Sequence, residues 1–285
     1  MLAIRPRTLP AAAAGVIMGS ALAWRDGFFR LDATLACLLT ALLLQIGSNL
    51  ANDVFDFERG TDTPERLGPV RVTQAGLLRP SQVKQGMVIV FTLAALLGLY
   101  LAWLGGWPII LIGIAAILSA IAYTGGPFPL GYYGLGDLFV FIFFGLASVA
   151  GTYYVQAGLV SAAAWWMTIP PGLIITAILV VNNLRDLEND RKAGKHTLAV
   201  ILGERGTKTQ YLICMFAAYL VLPLAASMGV IPWLSLLAWS SLPLAIRTAR
   251  RVLTQKGRPL NAALAGTGQT ALLFSILFWV GLSFK

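Results

Sequence analysis

The sequence is poor in charge: only 12% of its 285 residues are Asp, Glu, Lys or Arg, whereas soluble domains average about a quarter. Hydrophobic residues make up 58% of the chain, an excess that argues against a soluble globular protein. Apolar stretches of about 20 residues, the length that crosses a hydrocarbon core of about 30 Å, recur along the whole sequence. The composition therefore predicts an all-α, polytopic membrane protein without a separate soluble domain.

Cysteine and histidine are also scarce. Cys37 and Cys214 lie in apolar stretches, and neither has a second thiol or a histidine nearby in sequence. The spacing argues against a disulfide framework and a zinc site. His196, the one histidine, is interpreted as an ordinary loop residue. Residues 1–24 lack a clear signal-peptide cleavage site, so the first apolar segment is expected to remain as a helix.

Apolar windows between charged or Gly/Pro breaks predict nine transmembrane helices in a single domain, 1–285. The weakest division is the one marked by Gly105, Gly106 and Pro108, between the third and fourth helices. The predicted spans lie near 8–24, 33–53, 86–104, 107–123, 135–155, 161–182, 209–229, 232–250 and 261–282.

The basic residues predict the orientation. With the N-terminus inside, all but Arg25, Arg30 and Lys285 of the 21 Lys and Arg residues fall on one side, which the positive-inside rule assigns to the cytoplasm. This rule and contact with anionic lipid explain the net charge of +9, so no nucleic-acid partner is expected. The predicted location is a bacterial-type inner membrane, with the N-terminus and the loops of the site in the cytoplasm.

Nine of the twelve acidic residues cluster after the second and sixth predicted spans, at the same predicted membrane face. On helices, residues four apart share a face, so each cluster forms a polar stripe on an otherwise apolar helix. An Asn followed four residues later by an Asp occurs in both clusters, which suggests two pseudo-repeats followed by a C-terminal helix. The stripe residues are Asn49, Asn52, Asp53 and Asp56 in the first cluster and Asn182, Asp186 and Asp190 in the second.

Carboxylates stacked at the negative end of a helix repel one another and the helix dipole, so a cation is needed to offset them. Mg²⁺ suits this arrangement because it takes oxygen ligands and commonly joins one or two carboxylates to substrate phosphates. The stripe residues, together with Asp62, are therefore candidate metal ligands. Simple solvation could explain one Asp near a helix end, but two equivalent stripes favour a site.

Basic residues beside the clusters are candidate diphosphate ligands. They are Arg66 and Arg71 after the first cluster, and Arg185 and Lys195 within and after the second. Guanidinium groups bind phosphate oxygens in two-point fashion, and an ammonium supplies a compact charge. Anchoring at the cytoplasmic surface is the alternative role for these residues.

A turn-rich loop from Tyr123 to Asp137 is predicted on the same face. Its tyrosines are either residues of the membrane interface or, for Tyr123, an aromatic face that shields a carbocation. Asp137 could cap the following helix or orient an acceptor molecule.

These residues resemble the UbiA-type membrane prenyltransferases. Asn52, Asp53 and Asp56, followed by Gly60 and Asp62, are similar to the first Asp-rich motif of that superfamily. Asp186 to Asp190 is similar to the second motif. The strings around Arg66–Arg71, Gly131–Asp137 and Lys195–Leu198 resemble the branch that prenylates 1,4-dihydroxy-2-naphthoate in menaquinone or phylloquinone synthesis. Residues 56–62 place Gly60 before Asp62, where many 4-hydroxybenzoate members have an Asp sooner, and this difference supports the naphthoate branch.

The resemblance implies a helical bundle with a central cavity open to the cytoplasmic face, and an Mg²⁺-dependent transfer of a polyprenyl or phytyl group. Its implied partners are a polyprenyl diphosphate, an aromatic acceptor and membrane lipid. The implied catalytic residues are Asp53, Asp56, Asp186, Asp190 and Tyr123. Alternative acceptors are 4-hydroxybenzoate, homogentisate or a porphyrin. A cation-coupled transporter is a more distant alternative, because its carboxylates would normally lie near the bilayer midplane on broken helices.

Overall fold

A computed structural model describes residues 2–61 and 67–284. All regular secondary structure in these two ranges is helical, in agreement with the predicted fold class. Two short 3₁₀ turns, Leu2–Ile4 and Pro6–Thr8, precede the first long helix. The helices are α1 (Leu9–Arg25), α2 (Leu31–Glu58), α3 (Pro80–Gly105), α4 (Trp107–Ala122), α5 (Gly136–Ala157), α6 (Ala162–Lys192), α7 (Leu198–Ser227), α8 (Leu242–Thr254) and α9 (Leu260–Ser283).

The helices of the described ranges follow the nine predicted spans in order, but two of them begin elsewhere. The α-helical part of the eighth span begins only at Leu242, after the 3₁₀ helix Trp233–Ser241, and α7 begins at Leu198 with a kink at Gly203. Six of them, α2, α3, α5, α6, α7 and α9, are long and apolar enough to cross a membrane, and α4 is a shorter apolar helix. The division between α3 and α4 is confirmed, since Gly106 adopts a φ of 77° there. A crossing of the membrane by all nine helices stays a prediction.

Helices α2 and α6 are longer than predicted at their carboxyl ends. The spans were expected to end near residues 53 and 182, whereas the helices continue to Glu58 and Lys192. Hydropathy falls where the polar stripes begin, but the backbone hydrogen bonds of the helix continue through them. All the stripe residues are therefore helical, as their four-residue spacing predicted, and the helix fixes the direction of each side chain.

The two helices also end in the same way. Gly60 and Gly194 each adopt a φ of 69° immediately after the helix, a conformation that only glycine adopts without strain. The next residue then folds back onto the last turn: the N–H of Thr61 donates to the carbonyl of Asp56, and that of Lys195 donates to the carbonyl of Asp190, at 3.0 and 2.9 Å. Asp56 and Asp190 therefore occupy equivalent positions four residues before the glycine.

Small residues on α1 allow it to lie at the centre of the bundle, in contact with α2, α5 and α9. Eleven of its residues are buried, and most of these are Ala or Gly. Met18 and Leu22 pack into a core that also includes Phe274 and Phe278 of α9. By contrast, α3 and α4 carry many exposed leucines, isoleucines and tryptophans, as expected of helices that face lipid.

The middle of α5, Phe141–Ala150, is π-helical and packs closely on α6. The closest approach is between Gly145 and Gly172. A Cβ atom on Gly145 would lie 2.7 Å from the carbonyl oxygen of Thr168 and 2.9 Å from the Cα of Gly172. Both neighbours are backbone atoms, so a side chain at this position would separate the two helices.

The substitution Gly145→Ala is expected to destabilise the bundle, because overpacking of this kind costs about 1–3 kcal/mol. The midpoint of thermal unfolding of the protein purified in detergent should fall by several degrees. Gly98→Ala in α3 is the control, since nothing lies within 4 Å of the added atom and helix propensity favours Ala. An unchanged midpoint for Gly145→Ala would contradict the close packing.

Candidate active site

The predicted site residues surround one cavity of about 420 Å³. Its walls come from α1 to α6, from the N-terminal segment and from the loops at the carboxyl ends of α2, α4 and α6. The end near these loops is polar, and the remaining walls are largely apolar. The predicted residues that line the cavity are Asn49, Asn52, Asp56, Arg71, Tyr123, Asn182, Asp186, Asp190 and Lys195.

Two predicted site residues lie behind the cavity wall, and two are outside the described ranges. Asp53 and Arg185 are buried and do not line the cavity. Asp62 and Arg66 lie outside the described residues. The structure thus brings most of both stripes to one space, although the two stripes lie more than 120 residues apart in sequence.

Asp56 is the most heavily bonded of these side chains. Its carboxylate is buried and receives the guanidinium of Arg71 at 2.5 Å and the ammonium of Lys195 at 3.4 Å. The hydroxyl of Tyr132 donates to Oδ1 at 2.6 Å. These contacts surround the buried carboxylate with cationic and neutral donors together.

Lys195 joins the two Asp-rich helices. Its ammonium lies 3.4 Å from Asp56 and 3.8 Å from Asp190, so both carboxylates border the same small volume. The fold-back at Gly194 explains this placement, because it turns the chain over the end of α6 instead of away from it. The predicted convergence of the two helix ends is therefore present in the structure.

Tyr132 supports this cluster from the loop between α4 and α5. The ammonium of Lys195 lies over the ring of Tyr132, 4.4 Å from the ring centroid, in a cation–π contact. Burial and the neighbouring carboxylate of Asp56 raise the pKa of Tyr132, so its hydroxyl stays protonated and acts as a donor. The loop is held in place by the N–H of His196, which donates to the carbonyl of Tyr132 at 2.8 Å.

Asp53 binds the backbone of a loop, whereas it was predicted to be a metal ligand and a catalytic residue. Its two carboxylate oxygens accept the backbone N–H groups of Val72 and Thr73, each at 3.0 Å. On a helix, Asp53 lies 100° around the axis from Asn52, which is enough to turn it away from the cavity. Asp53 therefore anchors the segment that carries Arg71, next to Asp56.

Arg185 likewise binds protein groups where diphosphate binding was predicted. Its guanidinium holds both oxygens of Asp186, at 2.9 and 2.5 Å. The remaining contacts are to the side-chain oxygens of Asn182 and Asn261, at 2.8 and 2.7 Å. Its side chain is only 1% exposed, so Arg185 orients Asp186 from behind the cavity wall.

The two asparagines of the first stripe have different partners. Asn52 accepts a hydrogen bond from the hydroxyl of Thr124 at 3.0 Å and borders the cavity. Asn49 donates to the carbonyl of Ile4 and to the hydroxyl of Thr8, each at 3.0 Å. Asn49 thereby fastens the N-terminal segment, whose Arg5 lines the cavity and adopts a left-handed backbone conformation with a φ of 53°.

The remaining loop residues have the following positions. Tyr123 lines the cavity. Asp137 is not the N-cap of α5, because Leu135 holds that position; its carboxylate accepts a hydrogen bond from Gln210 of α7 at 2.9 Å. His196 contributes its backbone N–H to the loop, and its side chain does not line the cavity.

The donor set at the polar end fits Mg²⁺. Among the described residues, no three His, Cys, Asp or Glu side chains come close enough together to hold an ion by themselves. Mg²⁺ does not require such a cluster, since one or two carboxylates, waters and substrate phosphates commonly complete its shell. Asp56, Asp186 and Asp190 border the cavity with carboxylates and Asn52 with an amide, and Mg²⁺ prefers such oxygen ligands.

Several residues that bind the predicted site residues were not themselves predicted as site residues. Tyr132, Thr124 and Thr8 bind motif residues from distant segments, between 41 and 76 positions away. Asn261 binds Arg185 from 76 positions away. Each is an ordinary polar residue near the end of a helix or in a loop, and only the folded chain places it beside its partner.

Comparison with known proteins gives an independent result. The UbiA prenyltransferase family matches residues 12–276. The 1,4-dihydroxy-2-naphthoate octaprenyltransferase of Escherichia coli (strain K12) is 40% identical over 290 residues, covering 98% of this chain and 93% of that protein. The protein of the same name from Mycobacterium tuberculosis (strain ATCC 25618 / H37Rv) is 40% identical over 285 residues, covering 98% and 95%.

Solved structures share the fold at low sequence identity. The apo structure of a UbiA homologue from Aeropyrum pernix K1 gives a TM-score of 0.71 at 15% identity, covering 99% of this chain and 96% of that one. A UbiA homologue from Archaeoglobus fulgidus bound to DMAPP and Mg²⁺ gives 0.67 at 14% identity, covering 98% and 99%. The helical architecture, the two Asp-bearing helix ends on one cavity and the match along almost the whole sequence lead to one conclusion: the chain belongs to the UbiA prenyltransferase family.

Proposed function

We propose that this protein transfers a polyprenyl group from its diphosphate to 1,4-dihydroxy-2-naphthoate, with loss of the carboxylate of the acceptor. The observation that carries the proposal is the approach of Asp56 and Asp190 to one ammonium group, that of Lys195, at the polar end of an otherwise apolar cavity. The naphthoate acceptor rests on the names of the 40% identical relatives.

The diphosphate would bind at the polar end of the cavity. Arg71 and Lys195 supply positive charge there, on opposite sides of Asp56. Both side chains are largely removed from water, which strengthens their attraction for phosphate oxygens. When a diphosphate enters, these cations are placed to bind it and to stabilise the charge that develops on the leaving group.

Mg²⁺ would be held by Asn52, Asp56, Asp186 and Asp190, which present oxygen atoms to the same end of the cavity. Bound there, the ion supplies Lewis-acid stabilisation of the leaving diphosphate. The carboxylates of this chain have a second role without substrate, since they neutralise Arg71 and Lys195. Binding of the substrate would thus exchange carboxylate partners for phosphate partners around these two cations.

The reaction proposed for the bound substrates breaks the allylic C–O bond, and diphosphate leaves with the bonding electrons. A carbon of the electron-rich naphthalene ring then forms the new C–C bond, and the acceptor carboxylate leaves as carbon dioxide. Tyr123 borders the cavity and its aromatic face would shield the allylic cation from water.

The polyprenyl tail would lie against the apolar walls of the cavity. These include Leu101 of α3, Ile112 of α4 and Phe143 of α5, on helices whose outer faces expose many large hydrophobic residues. A tail that stays among such groups avoids water throughout the reaction.

We further infer that the nine helices span an inner membrane, with the site open to the cytoplasm. Apart from Arg25, Arg30 and Lys285, the Lys and Arg residues fall on the side that holds the site, which supports this orientation. A water-soluble acceptor and diphosphate head would then meet a lipid-soluble tail at the membrane surface.

The first prediction concerns the acceptor. Membranes containing the protein should convert 1,4-dihydroxy-2-naphthoate and a polyprenyl diphosphate, with Mg²⁺, into a prenylated naphthalenediol that has lost the carboxylate. Mass spectrometry of the lipid extract would report acceptor and tail together. Prenylation of 4-hydroxybenzoate or homogentisate in place of the naphthoate would contradict the acceptor, and ion uptake by vesicles without prenyl transfer would contradict the reaction.

The second prediction concerns the convergent carboxylates. Asp56→Asn and Asp190→Asn should each lower kcat/KM for the prenyl diphosphate by about 100-fold or more, the scale typical of losing one preorganised electrostatic group. Each variant should also need more Mg²⁺ for half-maximal activity. The measurement is prenyl transfer from a labelled diphosphate over a series of Mg²⁺ concentrations.

Glu58→Gln is the matched control for the two Asp variants. Glu58 lies half a turn beyond Asp56 on α2, is exposed and pairs with Lys84 at 2.7 Å. Its neutralisation should change activity less than about twofold, because exposed ion pairs contribute little. Near-native activity of both Asp variants would be incompatible with the proposed role of the two helix ends.

A further inference from the structure

Asn261 lies in the first turn of α9, a helix that carries none of the Asp-rich motif residues. Both halves of its side-chain amide are occupied by distant partners. The oxygen accepts a hydrogen bond from Nη1 of Arg185 at 2.7 Å, and the nitrogen donates to the carbonyl of Leu67 at 3.0 Å. One amide therefore touches the segment of each Asp-rich motif.

The Arg185 contact leads to the second motif. Four of the nitrogen–oxygen contacts of this guanidinium are to Asn182, Asn261 and the two oxygens of Asp186. A planar guanidinium with several fixed acceptors has one orientation, and it holds the carboxylate of Asp186 in one orientation as well. Asn261 accepts from Nη1 of the guanidinium, whereas Asp186 accepts from Nε and Nη2.

The Leu67 contact leads to the first motif. Leu67 stands four residues before Arg71, and Asp53 anchors Val72 and Thr73 immediately after it. The segment that presents Arg71 to Asp56 is thus fixed at both ends, by α9 on one side and by α2 on the other. Loss of either anchor would let the guanidinium move relative to the carboxylate.

The start of helix α9 does not by itself explain the orientation of Asn261. The N-cap position belongs to Pro259, and no side chain caps the helix. Asn261 stands at the second helical position, where the amide has no capping role to fill. Its two hydrogen bonds run to α6 and to the loop after α2 instead.

We propose that Asn261 is a positioning residue that sets the two halves of the active site relative to each other. Through Arg185 it orients Asp186, and through the carbonyl of Leu67 it fixes the segment that carries Arg71. This inference rests on the proposed function in one respect, namely that both halves bind one diphosphate. It gives α9 a part in the site that the two Asp-rich motifs do not indicate.

The test compares substrate and metal dependence in Asn261→Ala with those of the wild-type protein. Loss of a residue that orients a metal-binding side chain typically costs about 10–100-fold, so kcat/KM for the prenyl diphosphate should fall about tenfold or more. The Mg²⁺ concentration for half-maximal activity should rise severalfold. The KM for the naphthoate should change less than about twofold, because the two hydrogen bonds of Asn261 lead to Asp186 and Arg71, which are assigned to the metal ion and the diphosphate.

Two further variants keep the inference falsifiable. Asn261→Asp preserves the acceptor for Arg185 but replaces the donor to Leu67, so its loss should be smaller than that of Asn261→Ala. Ser275→Ala removes a buried hydrogen bond within the same helix, to the carbonyl of Ala271, and should leave kinetics and Mg²⁺ dependence unchanged. Wild-type kinetics in Asn261→Ala, or an equal rise in KM for both substrates, would overturn the proposal.

Binding of inorganic diphosphate with Mg²⁺, measured by calorimetry on the purified protein, separates this inference from the proposed function. Asn261→Ala should bind diphosphate at least several-fold more weakly than the wild type. If the wild type binds diphosphate but does not prenylate the naphthoate, the acceptor assignment fails and the binding ratio still decides the role of Asn261. Equal binding by the variant and the wild type would overturn that role, and absence of binding in the wild type would overturn both proposals.

Discussion

The site depends on the electrostatic balance between two carboxylates at the carboxyl ends of two helices. Asp56 and Asp190 face the same space, and the dipoles of α2 and α6 add further negative potential there. Without nearby cations, the two carboxylates would repel each other. Lys195 and Arg71 offset the charge within the chain, and the hydroxyl of Tyr132 supplies a neutral donor. The same cations are the groups that a diphosphate needs.

The geometry of the helix ends makes this balance possible in an apolar protein. Gly60 and Gly194 let the chain fold back over the last turn of each helix, so Thr61 and Lys195 return toward Asp56 and Asp190. Polar groups are thereby gathered at one end of the cavity, while the walls formed by α3, α4 and α5 remain apolar. In this one continuous space, a charged head can stay among polar groups while a hydrocarbon tail stays among apolar groups.

Much of the architecture and part of the site could be predicted from the sequence. Hydropathy located the nine helices in order, and four-residue spacing correctly placed Asn52 with Asp56 and Asp186 with Asp190 on the cavity side. The spacing was too coarse for their neighbours, since Asp53 and Arg185 lie one position away from cavity residues and point behind the wall. The Asn-to-Asp spacing also left open which residues of the two stripes correspond, whereas the matching glycine turns align Asp56 with Asp190.

The contacts that support the site could not be predicted from local patterns. Tyr132 reaches Asp56 across 76 positions, and Asn261 reaches Leu67 across 194. Tyr132 lies in the string Gly131–Asp137 that resembles the family, but nothing in that string indicates a contact with Asp56, and Asn261 lies in no motif. Hydropathy, periodicity and capping rules describe only neighbours along the chain. Their roles follow from tertiary packing, because packing brings a particular loop and a particular helix end together at the polar end of the cavity.

Thiol cross-linking tests most directly whether the two helix ends share one ligand space. Asp56→Cys and Lys195→Cys would be combined after Cys37 and Cys214 are replaced by Ala, and a short bifunctional thiol reagent applied. Efficient cross-linking is expected between positions 56 and 195, and little cross-linking is expected when the exposed Lys192 carries the second cysteine instead. Equal cross-linking from positions 192 and 195, or none from either, would contradict a shared ligand space.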